Sequence, residues 1–169
     1  PLLGRLYIEN EQYQKAIDAL ELYVVYETED GLARAMLGQA YYELKDYQSA
    51  VDNFDRAFTI NRTGLKRYYA YRGFANLELE NIDQAVTDLE TGLAEDKTSF
   101  EINLGLVRGY YIQEKFGSAF LKVEVLNSVA DTDEETALTH YWRALVQEKR
   151  DEPKDALKSW KALFAMKAD

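Results

Sequence analysis

The 169-residue chain contains no cysteine, one histidine, two prolines and nine glycines. Without cysteine there can be no disulfide, no thiolate nucleophile and no thiolate metal site, while the redox compartment stays open. His140 has no second histidine to share a metal and no serine or aspartate in a triad motif, so it reads as a helix-surface or packing residue. So few prolines and glycines leave little material for strands, hairpins or flexible linkers. The glycines are scattered one or two per segment, which rules out a Gly-rich phosphate loop. Basic residues are also scarce: 20 Lys and Arg against 30 Asp and Glu give a net charge of −10. A phosphate backbone is repelled by that charge, so nucleic acid is not an expected partner. No stretch approaches the roughly 20 uncharged apolar residues that a spanning helix needs, so no membrane insertion is expected. Pro1 to Leu6 lack a signal-peptide layout, although a leader removed upstream would leave no trace. A soluble location is expected, the cytoplasm slightly favoured over export.

What the chain does contain is a repeat. Ala16, Ala50, Ala85 and Ala119 recur at separations of 34, 35 and 34 (50−16, 85−50, 119−85), each within a similar pattern of aromatic and aliphatic residues. With 47% hydrophobic and 30% charged residues the chain should fold, and Ala, Leu, Glu and Lys dominate the segments between turn signals, so the class is all-α. A unit of about 34 residues is one helix pair that cannot bury its apolar face alone and therefore stacks on its neighbours.

Overlaying the units makes the pattern explicit. The clearest has Leu37, Gly38 and Tyr41 on its first helix and Tyr47, Ala50, Phe54 and Ala57 on its second. The first unit carries Leu3, Gly4, Tyr7, Tyr13, Ala16 and Leu20; the third Tyr69, Gly73, Ala85, Leu89 and Gly92. The fourth has Leu106, Tyr110, Phe116, Ala119, Val123 and Leu126, with Val107 in the glycine slot. The fifth has Ala144, Ala156, Trp160 and Leu163, after a gap of 37 (156−119) that implies a longer turn near Ala130 to Thr136. Small residues such as Gly38 with Ala50, and Gly73 with Ala85, allow two helices to approach closely, while Tyr41, Phe54, Tyr110 and Phe116 fill the spaces between pairs. Capping-box spacings at Asn81/Gln84, Thr98/Glu101 and Thr132/Glu135 mark helix starts. Pro153 suits the first turn of the last helix.

This pattern resembles the tetratricopeptide repeat, strongly in the second unit and over essentially the whole chain. The resemblance implies a right-handed superhelical solenoid of antiparallel helix pairs. About five repeats are expected in one array, at 1–30, 31–65, 66–99, 100–136 and 137–169, the first truncated because Pro1 falls partway along a first helix. It implies a non-enzymatic scaffold that binds a protein or peptide in a concave groove lined by one face of each first helix. Carrying the register across, the groove candidates are Arg5, Gln39, Tyr42, Arg67, Tyr71, Phe74, Arg108, Tyr111, Tyr141 and Trp142. They are rich in Tyr and Arg, residue types that anchor interfaces. Tyr71, Phe74 and Trp142 also suit packing between helices, and a one-position register error rotates a side chain by about 100°. The Lys and Asn clamp with which some members of this family hold chaperone C-termini is not reconstructed in any register: the second-repeat frame gives Ala35, Gln39, Tyr71, Glu101 and Gly105.

No catalytic, cofactor or metal residue is expected. Carboxylate pairs such as Glu78 with Glu80 and Asp131 with Asp133 lack calcium-loop spacing and read as solvated faces. Asn61, Arg62 and Thr63 fit the glycosylation acceptor pattern, which has meaning only in a secreted eukaryotic chain. An alternative role is structural. The final helix, with Leu157, Trp160, Leu163 and Phe164, has no polar capping helix after it, which suits a spacer or an oligomerisation segment.

Overall fold

The computed structural model describes residues 1–166. Among them are ten α-helices and no strand: α1 (Leu2–Glu9), α2 (Tyr13–Tyr26), α3 (Gly31–Glu43), α4 (Tyr47–Ile60), α5 (Arg67–Glu78), α6 (Ile82–Leu93), α7 (Phe100–Ile112), α8 (Phe116–Val129), α9 (Asp133–Lys149) and α10 (Pro153–Ala165). Each odd helix packs on the even helix that follows it. The chain forms two compact units, Pro1–Glu95 with α1 to α6 and Asp96 onward with α7 to α10. In the first unit α2 packs on α3 and α4 on α5, while α1, α3 and α5 meet along one side. In the second, α8 packs on α9 and α7 touches α9.

The crossings follow from matched volumes. Ala16, Ala50, Ala85 and Ala119 are all fully buried. A Cβ added at Gly38 would lie 2.9 Å from the Phe54 ring and 3.1 Å from the Ala50 carbonyl oxygen. At Gly73 it would lie 2.8 Å from Leu89 Cγ and 3.1 Å from the Ala85 carbonyl oxygen. Glycine is therefore required there by helix contact. Where the fourth pair carries Val107 in this slot, the position that holds Phe54 or Leu89 in earlier pairs shrinks to Val123, and both valines are buried. A small and a large residue are replaced by two of intermediate size, which roughly keeps the shared volume.

The turn inside every pair is the same. Glu11, Lys45, Glu80, Glu114 and Asp151 all have φ between 57° and 64°, and they recur at 34, 35, 34 and 37 (45−11, 80−45, 114−80, 151−114). Each left-handed residue donates its amide to the carbonyl three back, and its successor donates to the carbonyl five back: Lys45 to Tyr42 at 2.8 Å and Asp46 to Tyr41 at 3.0 Å in the second pair. This is a Schellman closure, satisfying helix-end carbonyls, built here on residues that have a Cβ.

Helix starts depart from the sequence expectation in two places. Thr132 and Glu135 form the expected capping box, and Pro153 opens α10. Asn81, however, caps nothing with its side-chain oxygen, while its Nδ2 donates to Asn76 Oδ1 at 3.1 Å. The cap of α7 is Ser99, whose Oγ accepts from the Ile102 amide at 3.3 Å, while Thr98 donates its hydroxyl to Asp96. Asp30 and Asp46 cap α3 and α4 by accepting from the Ala33 and Ser49 amides.

Candidate functional site

In the first unit, α1, α3 and α5 present side chains to a common cavity of about 300 Å³ lined by Arg5, Ile8, Glu9, Leu32, Met36, Gln39 and Arg67. Three of the sequence candidates, Arg5, Gln39 and Arg67, meet here. Arg5 and Gln39, 34 apart, hold the same repeat position on α1 and α3, whereas Arg67 stands in the slot of Leu32, two turns before the Gln39 position on α5 and therefore on the same helical face. Leu32, Met36 and Ile8 supply apolar surface. Arg5 forms an exposed i,i+4 pair with Glu9 at 3.4 Å. Arg67 is exposed and donates from Nη2 to the Tyr68 hydroxyl at 2.6 Å, which tethers the guanidinium to a fully buried ring.

Gln39 connects this cavity to a tyrosine cluster. Its Nε2 donates to the Tyr71 hydroxyl at 3.2 Å. Tyr71 meets Tyr42 edge to face, with ring centres 5.4 Å apart at 78°, and Tyr42 in turn lies 5.9 Å from Tyr47. Burial, followed by the charges of Glu43 and other neighbours, pushes the Tyr42 hydroxyl up to about 12. Tyr71 is raised too, by burial first and then by Glu43. Glu43 itself is raised by burial and by the charge of Glu11. The cluster is thus a half-buried set of phenols whose neighbouring carboxylates favour neutral, hydrogen-donating hydroxyls. Phe74 is half-buried on α5, one turn beyond Tyr71.

In the second unit Arg108 and Tyr111 are half-buried on α7. Tyr111 meets Trp142 edge to face at 5.7 Å. Trp142 meets Tyr141 at 5.6 Å, and Tyr141 meets Trp160 at 5.8 Å. Trp160 donates its indole N–H to Glu148 at 2.7 Å. Tyr141, at 40% exposed, is the most open of the candidates joined in this run. Sequence reasoning named Tyr111, Tyr141 and Trp142 but missed that Phe116, 5.6 Å from Tyr111, and Trp160 extend the aromatic run. Burial, and then the charge of Arg143, lower the pKa of His140, which is half-buried on α9.

A cavity that sequence reasoning did not find lies elsewhere in the first unit, between α4, α5 and α6. It has a volume of about 530 Å³, and Val51, Asp55, Arg72, Asn76 and Ile82 are among its walls. The signal was present in the overlay, since position 76 is aligned with Tyr7, Tyr41 and Tyr110.

No helix among the described residues is long and apolar enough to cross a membrane. The family model described as "Anaphase-promoting complex, cyclosome, subunit 3" matches residues 9–92, just under half of the chain and all within the first unit. No curated protein sequence matches significantly. Among solved structures, the chain is similar to YrrB, described as "a TPR protein with an unusual peptide-binding site", with a TM-score of 0.86 at 14% identity over 98% of this chain and 84% of that one. It is similar to MamA 41-end from Desulfovibrio magneticus RS-1, with a TM-score of 0.78 at 19% identity over 98% and 92% of the two chains. A further MamA structure, from MSR-1, gives 0.84 at 16% identity over 98% and 92%.

Proposed function

We propose that this chain, a protein of the tetratricopeptide-repeat fold, is a non-enzymatic protein-interaction scaffold that receives an extended or helical segment of a partner against its first helices. The observation that supports the reading is the cavity lined by α1, α3 and α5. It combines apolar walls from Leu32 and Met36 with polar groups from Arg5, Gln39 and Arg67. Such a mixture gives area from the apolar floor and orientation from a few convergent donors. Arg67 suits a carboxylate or a main-chain carbonyl, and Tyr42 and Tyr71 offer rings with a polar tip. In the second unit Arg108, Tyr111 and Trp142 are the corresponding set. The likeness to YrrB supports the same reading, since that protein of the same fold has a peptide-binding site.

The test is capture of partners by the purified chain with mass spectrometry, repeated with Gln39→Ala plus Arg67→Ala and with Arg108→Ala plus Tyr111→Ala. Loss of the captured partner with helicity retained supports the reading. Capture undiminished in both double variants sinks it.

A second reading, as a spacer or self-association segment, is favoured by a different observation. α2 exposes Val25 at 68% and Tyr26 at 78%, and α10 exposes Leu157 at 54% and Phe164 at 63%. Apolar side chains exposed in this way on α2 and α10 suit coverage by another surface. Sedimentation across a hundredfold concentration range decides it: a strict monomer throughout removes the self-association reading.

A further inference from the structure

The residue three positions after the crossing residue of each pair is Tyr7, Tyr41, Asn76, Tyr110 and Gln147 in turn. In the second pair Tyr41 lies half-buried against the preceding pair and donates its hydroxyl to Glu21 on α2, with Asp46 and Asp18 also near it. The third pair repeats this setting without the ring. Asp55 stands five residues after Ala50, as Glu21 stands five after Ala16; Val51 stands where Ile17 does and Asn81 where Asp46 does. These counterparts of the Tyr41 surroundings, with Asn76 and Arg72, are the walls of the 530 Å³ cavity. The cavity is therefore the slot of a repeat tyrosine that this pair does not possess.

Two details make it a built site. Asn76 is only 2% exposed, and its Nδ2 has no hydrogen-bond partner among the described residues, while its Oδ1 accepts from Asn81. A buried donor in that condition calls for an acceptor. Arg72 does not supply or block it. Its Nε and Nη2 donate to Asp88, its Nη1 donates to Asp55, and its guanidinium carbon lies 4.6 Å from the Phe58 ring centre, so it is held along one wall. In the fifth pair the matching amide is satisfied differently: Gln147 Oε1 accepts from Ser159 at 2.8 Å, and Phe120 occupies the position of Val51 with Arg150 stacked 4.6 Å over it.

We propose that this cavity receives a tyrosine side chain from a partner peptide. The ring lies against Val51 and Ile82, the phenol oxygen accepts from Asn76 Nδ2, and the hydroxyl donates to Asp55, as Tyr41 donates to Glu21 within the chain. Glu80 and Asp55 are exposed at the mouth, so basic residues flanking that tyrosine are favoured over acidic ones. The site is separate from the first-helix cavity and stands or falls independently of it.

The probe is 4-methylphenol, titrated to millimolar concentration into the isotope-labelled chain while the Asn76 side-chain amide and the Val51 and Ile82 methyls are followed by NMR. Saturable shifts at these groups are expected, with toluene weaker by about three- to tenfold, the factor of one hydrogen bond. Asn76→Ala, which keeps the space but removes the donor, should weaken 4-methylphenol by a similar factor. Asn76→Tyr should fill the slot from within, abolish the shifts and raise Tm. The peptide acetyl-Lys-Tyr-Lys-amide should bind more tightly than acetyl-Glu-Tyr-Glu-amide. Absence of saturable shifts in the unmodified chain overturns the site. Equal binding of toluene, or undiminished binding by Asn76→Ala, overturns the phenol assignment, and equal binding of the two peptides overturns the charge preference.

Discussion

Arg72 on α5 grips Asp88 on α6 through two parallel hydrogen bonds, Nε to Oδ2 and Nη2 to Oδ1, each 2.7 Å long. Asp88 is 1% exposed, and Gln84 Nε2 also donates to it at 3.0 Å. Burial alone would lower the Arg72 pKa. The bonds and charges of Asp88, and then of Asp55, outweigh it and raise the value. Charge is thus fixed inside a pair where the second and fourth pairs carry Leu37 and Leu106 in the same slot.

Arg72→Met should therefore destabilise the chain by about 3–5 kcal/mol, because it leaves the Asp88 carboxylate buried without its partner. The double variant Arg72→Met plus Asp88→Leu removes both charges and should recover most of that loss. Urea denaturation of the two variants measures the difference. A single variant within about 1 kcal/mol of the parent would show that the pair is already well solvated.

The Gly38 crossing makes a second prediction. Gly38→Val drives side-chain atoms into the Phe54 ring and the Ala50 carbonyl, at a cost of about 1–3 kcal/mol or more. Adding Phe54→Val copies the Val107 and Val123 arrangement and should relieve part of the strain. A double-mutant cycle on thermal stability then gives a coupling of opposite sign to the single losses. Purely additive losses would mean the two slots do not share volume.

Lys45 sits in the left-handed region at φ 64°. Glycine is free of the Cβ strain that this conformation imposes, so Lys45→Gly should stabilise by about 0.5–1 kcal/mol. Alanine at the same site should give no such gain. Chemical denaturation midpoints at constant m-value test this pair of substitutions.

Alkaline stability carries the signature of the tyrosine cluster. The Tyr42 hydroxyl is pushed up to about 12 by burial and by Glu43, above its ordinary value near 10. A folded-state pKa above the unfolded one contributes stability that is fully present below pH 10 and is lost as pH rises toward 12. The phenol is partly open to solvent, so the contribution is about 1–2 kcal/mol. Tyr42→Phe should flatten the decline of Tm between pH 10 and 12. An unchanged slope would place the titrating groups elsewhere.

The helix pairs were legible because close crossings demand a small residue on one helix and a matching volume on the other, and Gly38 with Phe54 or Gly73 with Leu89 write that demand directly into residue types. The caps were less so. Asn81 and Gln84 have the right spacing, but the Asn81 oxygen caps nothing and its amide nitrogen bonds Asn76 across the turn, an orientation that spacing does not encode. Ser99 rather than Thr98 caps α7, a one-residue shift that spacing alone does not resolve. The left-handed turn residues carry no compositional mark at all, since Glu11, Lys45 and Asp151 lack the glycine that usually signals such a position. Of the groove candidates, Gln39 and Tyr42 both meet Tyr71 in the first unit, as Tyr111 meets Trp142 in the second. The Asn76 cavity was visible as an exception to a repeated tyrosine, but that its amide Nδ2 lacks an acceptor is a matter of three-dimensional surroundings that residue types do not record.

The central claim is that the face formed by α1, α3 and α5 is a peptide receptor. Peptides selected on the purified chain from a random display library should be titrated against the parent and against Gln39→Ala plus Arg67→Ala, with circular dichroism and Tm recorded alongside. A Kd at least about tenfold weaker in the double variant, a loss of about 1.4 kcal/mol, with the fold intact is the expected result. Equal affinity for every selected peptide contradicts it.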